Sequence, residues 1–514
     1  MNNHRLGIAI AAGAALLLSS ACSSGSTDGG TPASGGGKTQ TLRVGVASLA
    51  PGQGNPFTAT GSPSIYAWSA IFDALTLVDA KGAVQSALAT SWEQVEPTRW
   101  RFTLREGVKF SNGEVFDASA VIATIDHVNS EAARSTPVGV DLMNVSGAKA
   151  VDPRTVEVTT AKPDPILPKV LSELYIVAPK AWQQDPKAFA NAPVGTGSFK
   201  VDSITQNRWE LSANPDSWRK PKVDKLQVIK LPDAAARLQA LQSGQIEVAI
   251  QLNPDQIEQV RAAGGTPQTD PAPQVMSLAF YQTKSGSKVA DQKLRQALNY
   301  AVDKQAIVTN LTGDLAKVTG QGASESTFGY DPQTQPYPYD PEKAKELLKE
   351  AGHDKGLSLT ADVVVGSYPA DDQLYQAVAA DLAKVGVTLT LRQMTFAEWL
   401  EKYQTNGWSG DMFGLSWNSA PWMDAIRAYR IFSCAKATAF FCDKSVMPLI
   451  EQANNEFDEA KRLSTLQELA RKVHDNPPSI YLVQQTDVNA TAKGVQGYLN
   501  DSRFIHYEQM TVGG

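Results

Sequence analysis

A chain of 514 residues exceeds what one hydrophobic core usually supports, so two or three lobes are expected. Its 42 % hydrophobic and 19 % charged residues fit a soluble globular protein. The net charge of −6, with no Lys/Arg cluster to offset it, argues against nucleic acid and anionic membrane surfaces as electrostatic partners.

At the N-terminus, His4 and Arg5 precede the apolar run Leu6 to Leu18, which is too short to span a bilayer comfortably and matches a signal-peptide core. Ser19, Ser20 and Ala21 then lead to Cys22. This order resembles a bacterial lipoprotein signal: residues 1–21 are removed and Cys22 carries the lipid. Such signals usually have Leu three residues before the Cys, where this chain has Ser19, with Leu18 one place earlier. An ordinary cleaved secretory signal is the alternative. Residues 22–38, rich in Ser and Gly, predict a flexible tether between membrane and folded domain. No later run is long and apolar enough to cross a bilayer.

Thr41–Val46 alternates apolar and polar residues and predicts a strand entering the first lobe, ended by the Gly- and Pro-rich loop 48–63. Tyr66 to Leu77 predicts a helix with Trp68, Ile71, Phe72 and Leu75 on one face. Trp92, Trp100, Phe102, Leu104, Val108 and Phe110 predict two short strands turning at Pro97. Asp117 is an N-cap for a helix over 118–129, and Val156 and Val158 mark a further strand. Pro193 to Phe199 predicts a tight turn before a strand; it lacks the Lys and Ser/Thr spacing of a phosphate-binding loop. Trp209, Leu211, Trp218, Leu226, Val228 and Ile229 continue the strands. A helix through Leu238 and Leu241 stops at Gly244, and a strand follows through Ile246, Val248 and Ile250. This alternation of strand and helix predicts an α/β layer.

The apolar run Met276 to Tyr281 predicts a buried strand. The helix after it places Leu294, Ala297, Leu298, Ala301 and Val302 on one face, with Arg295, Gln296 and Asn299 outward. Lying mid-chain, this stretch is a candidate passage between lobes. Asp340-Pro341 is an N-cap followed by Pro at the first helical position, and Gly352 ends that helix. Strand, helix and strand then repeat over 363–365, 374–385 and 388–391. Trp399 and Tyr403 lie on another helix, Phe413 to Trp417 is a strand ending among aromatics, and Ile480 to Val483 is the last strong strand. In an exported chain, Cys434 and Cys442 predict a disulfide, with two free buried thiols as the alternative.

Catalytic signals are missing: the sequence has no Gly-x-Ser-x-Gly, His-Glu-x-x-His or Cys-x-x-Cys. His127, His353, His474 and His506 are scattered, and no His/Cys/carboxylate cluster has metal-ligand spacing, so neither an enzyme nor a metal or other cofactor is expected. Five stretches in order carry a resemblance: Leu88 to Trp92 followed by Phe102 to Phe110, Pro193 to Gly197, Leu294 to Asp303, and Tyr339 to Ala344. Together they resemble the extracytoplasmic solute-binding proteins of peptide and nickel ABC importers, the dipeptide- and oligopeptide-binding type, over nearly the whole mature chain.

That resemblance implies an α/β, two-lobe periplasmic-binding-protein-like fold with an extra sub-lobe. Two crossing strands, near 276–283 and 481–486, form its hinge. The first lobe is expected over 39–65, 190–280 and 485–514, its sub-lobe over 66–189, and the second lobe over 281–484. It implies a monomer, lipid-anchored outside the cytoplasmic membrane, that captures a small solute, a peptide first, for permease and ATPase subunits. The alternatives are a metal–chelator complex or other non-peptide solute, and a non-transporting envelope regulator on the same fold. The segment Leu415 to Ala420 corresponds to a cleft wall in peptide-binding members. There an Asp three residues after the Trp pairs with the peptide amino terminus; here Ala420 holds that position, and Asp424 is the candidate replacement. Trp417, Asn418, Ser419 and Trp422 are the other candidate ligand contacts, with either Trp alternatively core, and Ser48 and Leu49 match a cleft loop more loosely.

Overall fold

The computed structural model describes residues 39–513 except 314, 367, 369 and 437. The expected signal peptide, Cys22 and the expected tether lie outside the described residues.

Two long strands organise the rest. Thr266–Phe280 and Ser479–Thr491 pair antiparallel from Thr266 opposite Thr491 to Ala279 opposite Ser479. Beyond one end of this pair come Val248–Ala249, Thr41–Val46, Lys225–Lys230, Arg208–Ala213 and Phe199–Ile204; beyond the other come Met412–Asn418, Leu357–Val364 and Val387–Met394. One sheet therefore runs through both lobes, and the crossing strands are its middle. Thr41–Val46 pairs parallel with two strands joined through the helix Ala234–Gln242, and the parallel pair Leu357–Val364 and Val387–Met394 is joined through Asp371–Lys384. These crossover helices are what parallel pairing requires.

The first crossing strand begins at Thr266, not Met276, because its polar, proline-bearing half also finds a partner. Its register breaks between Pro271 and Val275, where Pro271 and Pro273 supply no N–H to the ladder. Past the break, alternate residues serve opposite faces of the second lobe. Met276, Leu278, Ile480 and Leu482 pack with Leu294, Leu298 and Leu382 on one side. Val275, Leu415, Trp417 and Tyr481 pack with Tyr429 and Leu466 on the other. The core thus takes Val275–Phe280 into the second lobe, ahead of the boundary expected after residue 280.

The sub-lobe has its own antiparallel sheet, in the order Ala89–Glu96, Arg99–Leu104, Thr155–Thr160, Val145–Asp152. Helix Ala118–Val128 begins at Asp117, whose carboxylate accepts from the Ser119 amide, and buries Val121 and Ile125 in a core shared with the first lobe. Val108, Phe110 and Trp218 lie outside strands.

Two local expectations are corrected. The helix expected over 66–77 spans only Ile65–Ile71, because the Pro193–Phe199 turn closes its end: the Gly197 amide donates to the Ile71 carbonyl at 2.8 Å. A Cβ at Gly195 would stand 2.1 Å from that oxygen, so glycine is needed for the approach. In helix Gln292–Tyr300, Arg295 and Asn299 are buried instead of outward. The Arg295 guanidinium donates to the carbonyls of Pro477, Val289 and Ala290 and to the Asn476 side chain, and Asn299 donates to the Ser479 carbonyl at 3.1 Å. Both residues satisfy carbonyls of the segment entering the second crossing strand, which would otherwise be buried without donors.

Candidate functional site

Strand Met412–Asn418 ends against the first crossing strand, and the Ser419 amide donates to the Pro273 carbonyl at 2.9 Å. The chain then turns through Ala420 to Met423, with Met423 at φ 51°, and enters helix Ile426–Ile431. This turn faces the other lobe. The Trp422 indole N–H donates to Glu173 Oε2 at 3.1 Å, and Arg427 donates to Asp141 Oδ2 at 2.6 Å. Arg427 and Arg430, three apart on one helical face, both lie over the Trp422 ring, at 5.7 and 5.0 Å. Asp141 and Glu173 belong to the sub-lobe segment, so this is a seam between lobes. Burial, reinforced by the charge of Asp141, holds the Glu173 carboxyl well above the usual carboxylate range; Arg427 opposes the shift without cancelling it. Glu173 Oε1 and the Arg427 Nε are buried without a partner among the described residues.

Nearer the hinge a second polar group gathers. Arg503 grips Asp487 with two hydrogen bonds of 2.7 and 2.9 Å and donates to Ser62 at 3.2 Å. The phenols of Tyr66, from the first lobe, and Tyr368, from the second, feel both Arg503 and Asp487, and burial pushes both upward. Tyr368 also adjoins Ser416. Gln274 Oε1, Ser416 Oγ, Ser419 Oγ, Gln484 Nε2 and Gln485 Oε1 are buried and lack a hydrogen-bond partner among the described residues. All five stand at the hinge or on the strand end beside it, neutral groups able to hydrogen-bond a polar molecule.

The sequence-derived candidates divide. Asn418 is half-buried, its Oδ1 accepting from the Ala420 amide at 2.9 Å, and Ser419 is fully buried. Trp422 lies in the seam. Trp417 is instead held in the second lobe's core, 1 % exposed, against Phe432, Tyr481 and Tyr429, with its N–H on Ser479 Oγ at 3.1 Å. Asp424 is fully buried and both its oxygens are taken by Arg462, at 2.7 and 2.8 Å, so its carboxylate does not stand free for a ligand amine. Ser48 is exposed, and Leu49 packs on the first lobe's core. The structure also bonds Cys434 to Cys442. Sequence reasoning did not find Glu173, Asp141, Arg427, Tyr66, Tyr368 or Arg503. Only proximity across hundreds of residues marks them.

Residues 83–439 match the family described as bacterial extracellular solute-binding proteins, family 5 Middle. This chain belongs to that family. A dipeptide-binding protein of Escherichia coli K12 is 30 % identical over 470 residues, covering 82 % of this chain and 84 % of the relative. Among solved structures, DppA of Helicobacter pylori in complex with the peptide STSA superposes with a TM-score of 0.79 at 22 % identity, over 92 % of this chain and 99 % of that one. MoaA of A. tumefaciens R10 in complex with mannopinic acid gives 0.80 at 25 % identity, over 93 % and 100 %. The fold is thus shared with solved structures whose printed ligands differ, a peptide in one and mannopinic acid in the other.

Proposed function

We propose that this protein is the solute-capturing component of an ABC importer. It encloses a small solute between its lobes and presents the closed form to permease and ATPase subunits. Family membership and the dipeptide-binding relative make a peptide the first solute to test. The observation that carries the reading is the polar seam: side chains from both lobes meet around the crossing strands and leave neutral hydrogen-bonding atoms without partners among the described residues. A solute that touches both lobes favours closure because it binds the closed form better than the open one. The site is assigned to Asn418, Ser419, Trp422, Tyr66, Tyr368, Gln274 and Gln485, with Ser48 and Leu49 at its margin and Trp417 beneath it.

The test is native mass spectrometry of gently purified protein, followed by titration of the identified solute against intrinsic Trp fluorescence. Saturable binding with a rise in melting temperature is expected. A protein that carries no small solute and responds to no host extract would overturn the reading. A second reading, a solute without a free amino terminus, has its own support in Ala420 and in the capture of Asp424 by Arg462. We also propose that lipid on Cys22 anchors the protein, as a monomer, outside the cytoplasmic membrane. No helix among the described residues is long and apolar enough to cross a membrane.

A further inference from the structure

A cavity of about 650 Å³ opens between the sub-lobe and the second lobe, within the size range of small-molecule sites. The sub-lobe lines it with Trp92, Trp100 and Lys169, and the second lobe with Phe328, Phe457 and Arg462. Lys169 is the unusual member. Its side chain is only 15 % exposed, and its ammonium makes no hydrogen bond among the described residues. The nearest carboxylate, Asp424, is 3.9 Å away, with both oxygens already held by Arg462. The Phe328 ring lies beside both cations, its centroid 5.2 Å from the Lys169 ammonium and 5.2 Å from the Arg462 guanidinium. The acids around the cavity do not relieve Lys169: Glu325 pairs with Lys317 at 2.6 Å, Glu456 accepts from the Asp458 amide at 2.8 Å, and Glu459 acts on the ammonium only through its field. Burial pushes the Lys169 pKa down, and the charge of Asp424 only partly resists.

A buried ammonium without an acceptor is costly, and an ionised acid group placed against it recovers that cost. We infer that this cavity receives the carboxylate of the captured solute and that Lys169 is its anchor, with the aromatic walls taking the apolar part. Walls from both lobes make the contact complete only when the lobes meet, so the same ion pair favours closure. This inference rests on the solute-capture reading above.

The test uses a small-molecule extract of the host divided on strong anion-exchange resin at high pH, the retained acids being one probe and the flow-through the other. Melting temperature is read for the wild type and for Lys169→Met, which keeps the length of the side chain over Phe328 and removes its charge. The acid fraction is expected to raise the wild-type melting temperature, and Lys169→Met to abolish that shift while melting like the wild type when empty. If the empty Met variant melts low, Lys169→Gln and Lys169→Arg replace it, with the shift lost in the first and kept in the second. A shift from the flow-through alone, or one that survives loss of the Lys169 charge, overturns the inference and leaves solute capture standing. No shift from either fraction overturns capture itself, and the anchor with it.

Discussion

Replacing Trp417 by Ala separates a core tryptophan from a ligand-stacking one. The indole is 1 % exposed, its ring centroid is 4.9 Å from Phe432 and 5.4 Å from Tyr481, and a Cβ at Gly322 would stand 2.3 Å from its Cε3. Truncating a Trp so enclosed costs about 3–5 kcal/mol, the lost transfer energy and the cavity together. Ser479 Oγ also loses the indole N–H it accepts from, which keeps the expected value toward the upper half of that range. For an unfolding unit the size of the second lobe, about 2–4 °C per kcal/mol gives a fall of roughly 6–20 °C. Calorimetry on ligand-free protein reads the fall, and titration on the same sample, corrected for folded fraction, reads affinity. Unchanged melting with lost affinity would refute the core assignment and return the indole to the ligand.

Trp422→Phe keeps an aromatic ring beneath Arg427 and Arg430 and removes the hydrogen bond to Glu173, so it should weaken solute binding with little change in ligand-free melting; the two readouts moving together would count against an interlobe role. Glu173 faces Asp141, Arg427 and Trp422, and its pKa is raised in this structure, where the lobes meet, so bringing the lobes together should take up a proton. Affinity should then be highest below the open-form value, near the ordinary 4.5, and fall as pH rises toward the raised closed-form value. Glu173→Gln should flatten that profile, and a Gln variant with the wild-type pH dependence rules the residue out. Cleaving the Cys434–Cys442 link, which closes a loop of sequence separation 8, should cost about 2–3 kcal/mol in the chain-entropy model; identical melting with and without reductant contradicts it. Cys22→Ala should release the protein from membranes, and retention of that variant rules out the lipid anchor.

Local chemistry was legible where one residue sets one geometry. Asp117 and Asp340 cap the helices they were expected to cap, Gly244 ends its helix at φ 70°, and the alternation in Thr41–Val46 is a strand. Burial of polar residues was not. Nothing in the helical pattern shows that Arg295 would turn inward, because the carbonyls it satisfies come from residues 289–290 and 477. The start of the first crossing strand was hidden by Pro267, Pro271 and Pro273, which read as loop until the partner strand is known. The two tryptophans show the limit for the site. Trp417 and Trp422 stand five residues apart with the same side chain and are both fully buried, and only tertiary contacts send one into the second lobe's core and the other against the first lobe's core and Glu173.

The path of the sheet shared by the two lobes also bears on the expected order of assembly. The second lobe's core draws on one nearly unbroken stretch, 275–483, whereas the first lobe's core joins Leu42 and Tyr66 to Phe504, Tyr507 and Met510. The Tyr507 hydroxyl reaches the Tyr66 carbonyl across 441 residues of sequence, at 2.7 Å. Contacts that distant carry the larger loop-closure entropy and form late. The second lobe can therefore condense first and shorten the loop that separates the halves of the first. Until the last residues dock, the opening strand Thr41–Val46 has neighbours in the sheet but no completed core above it.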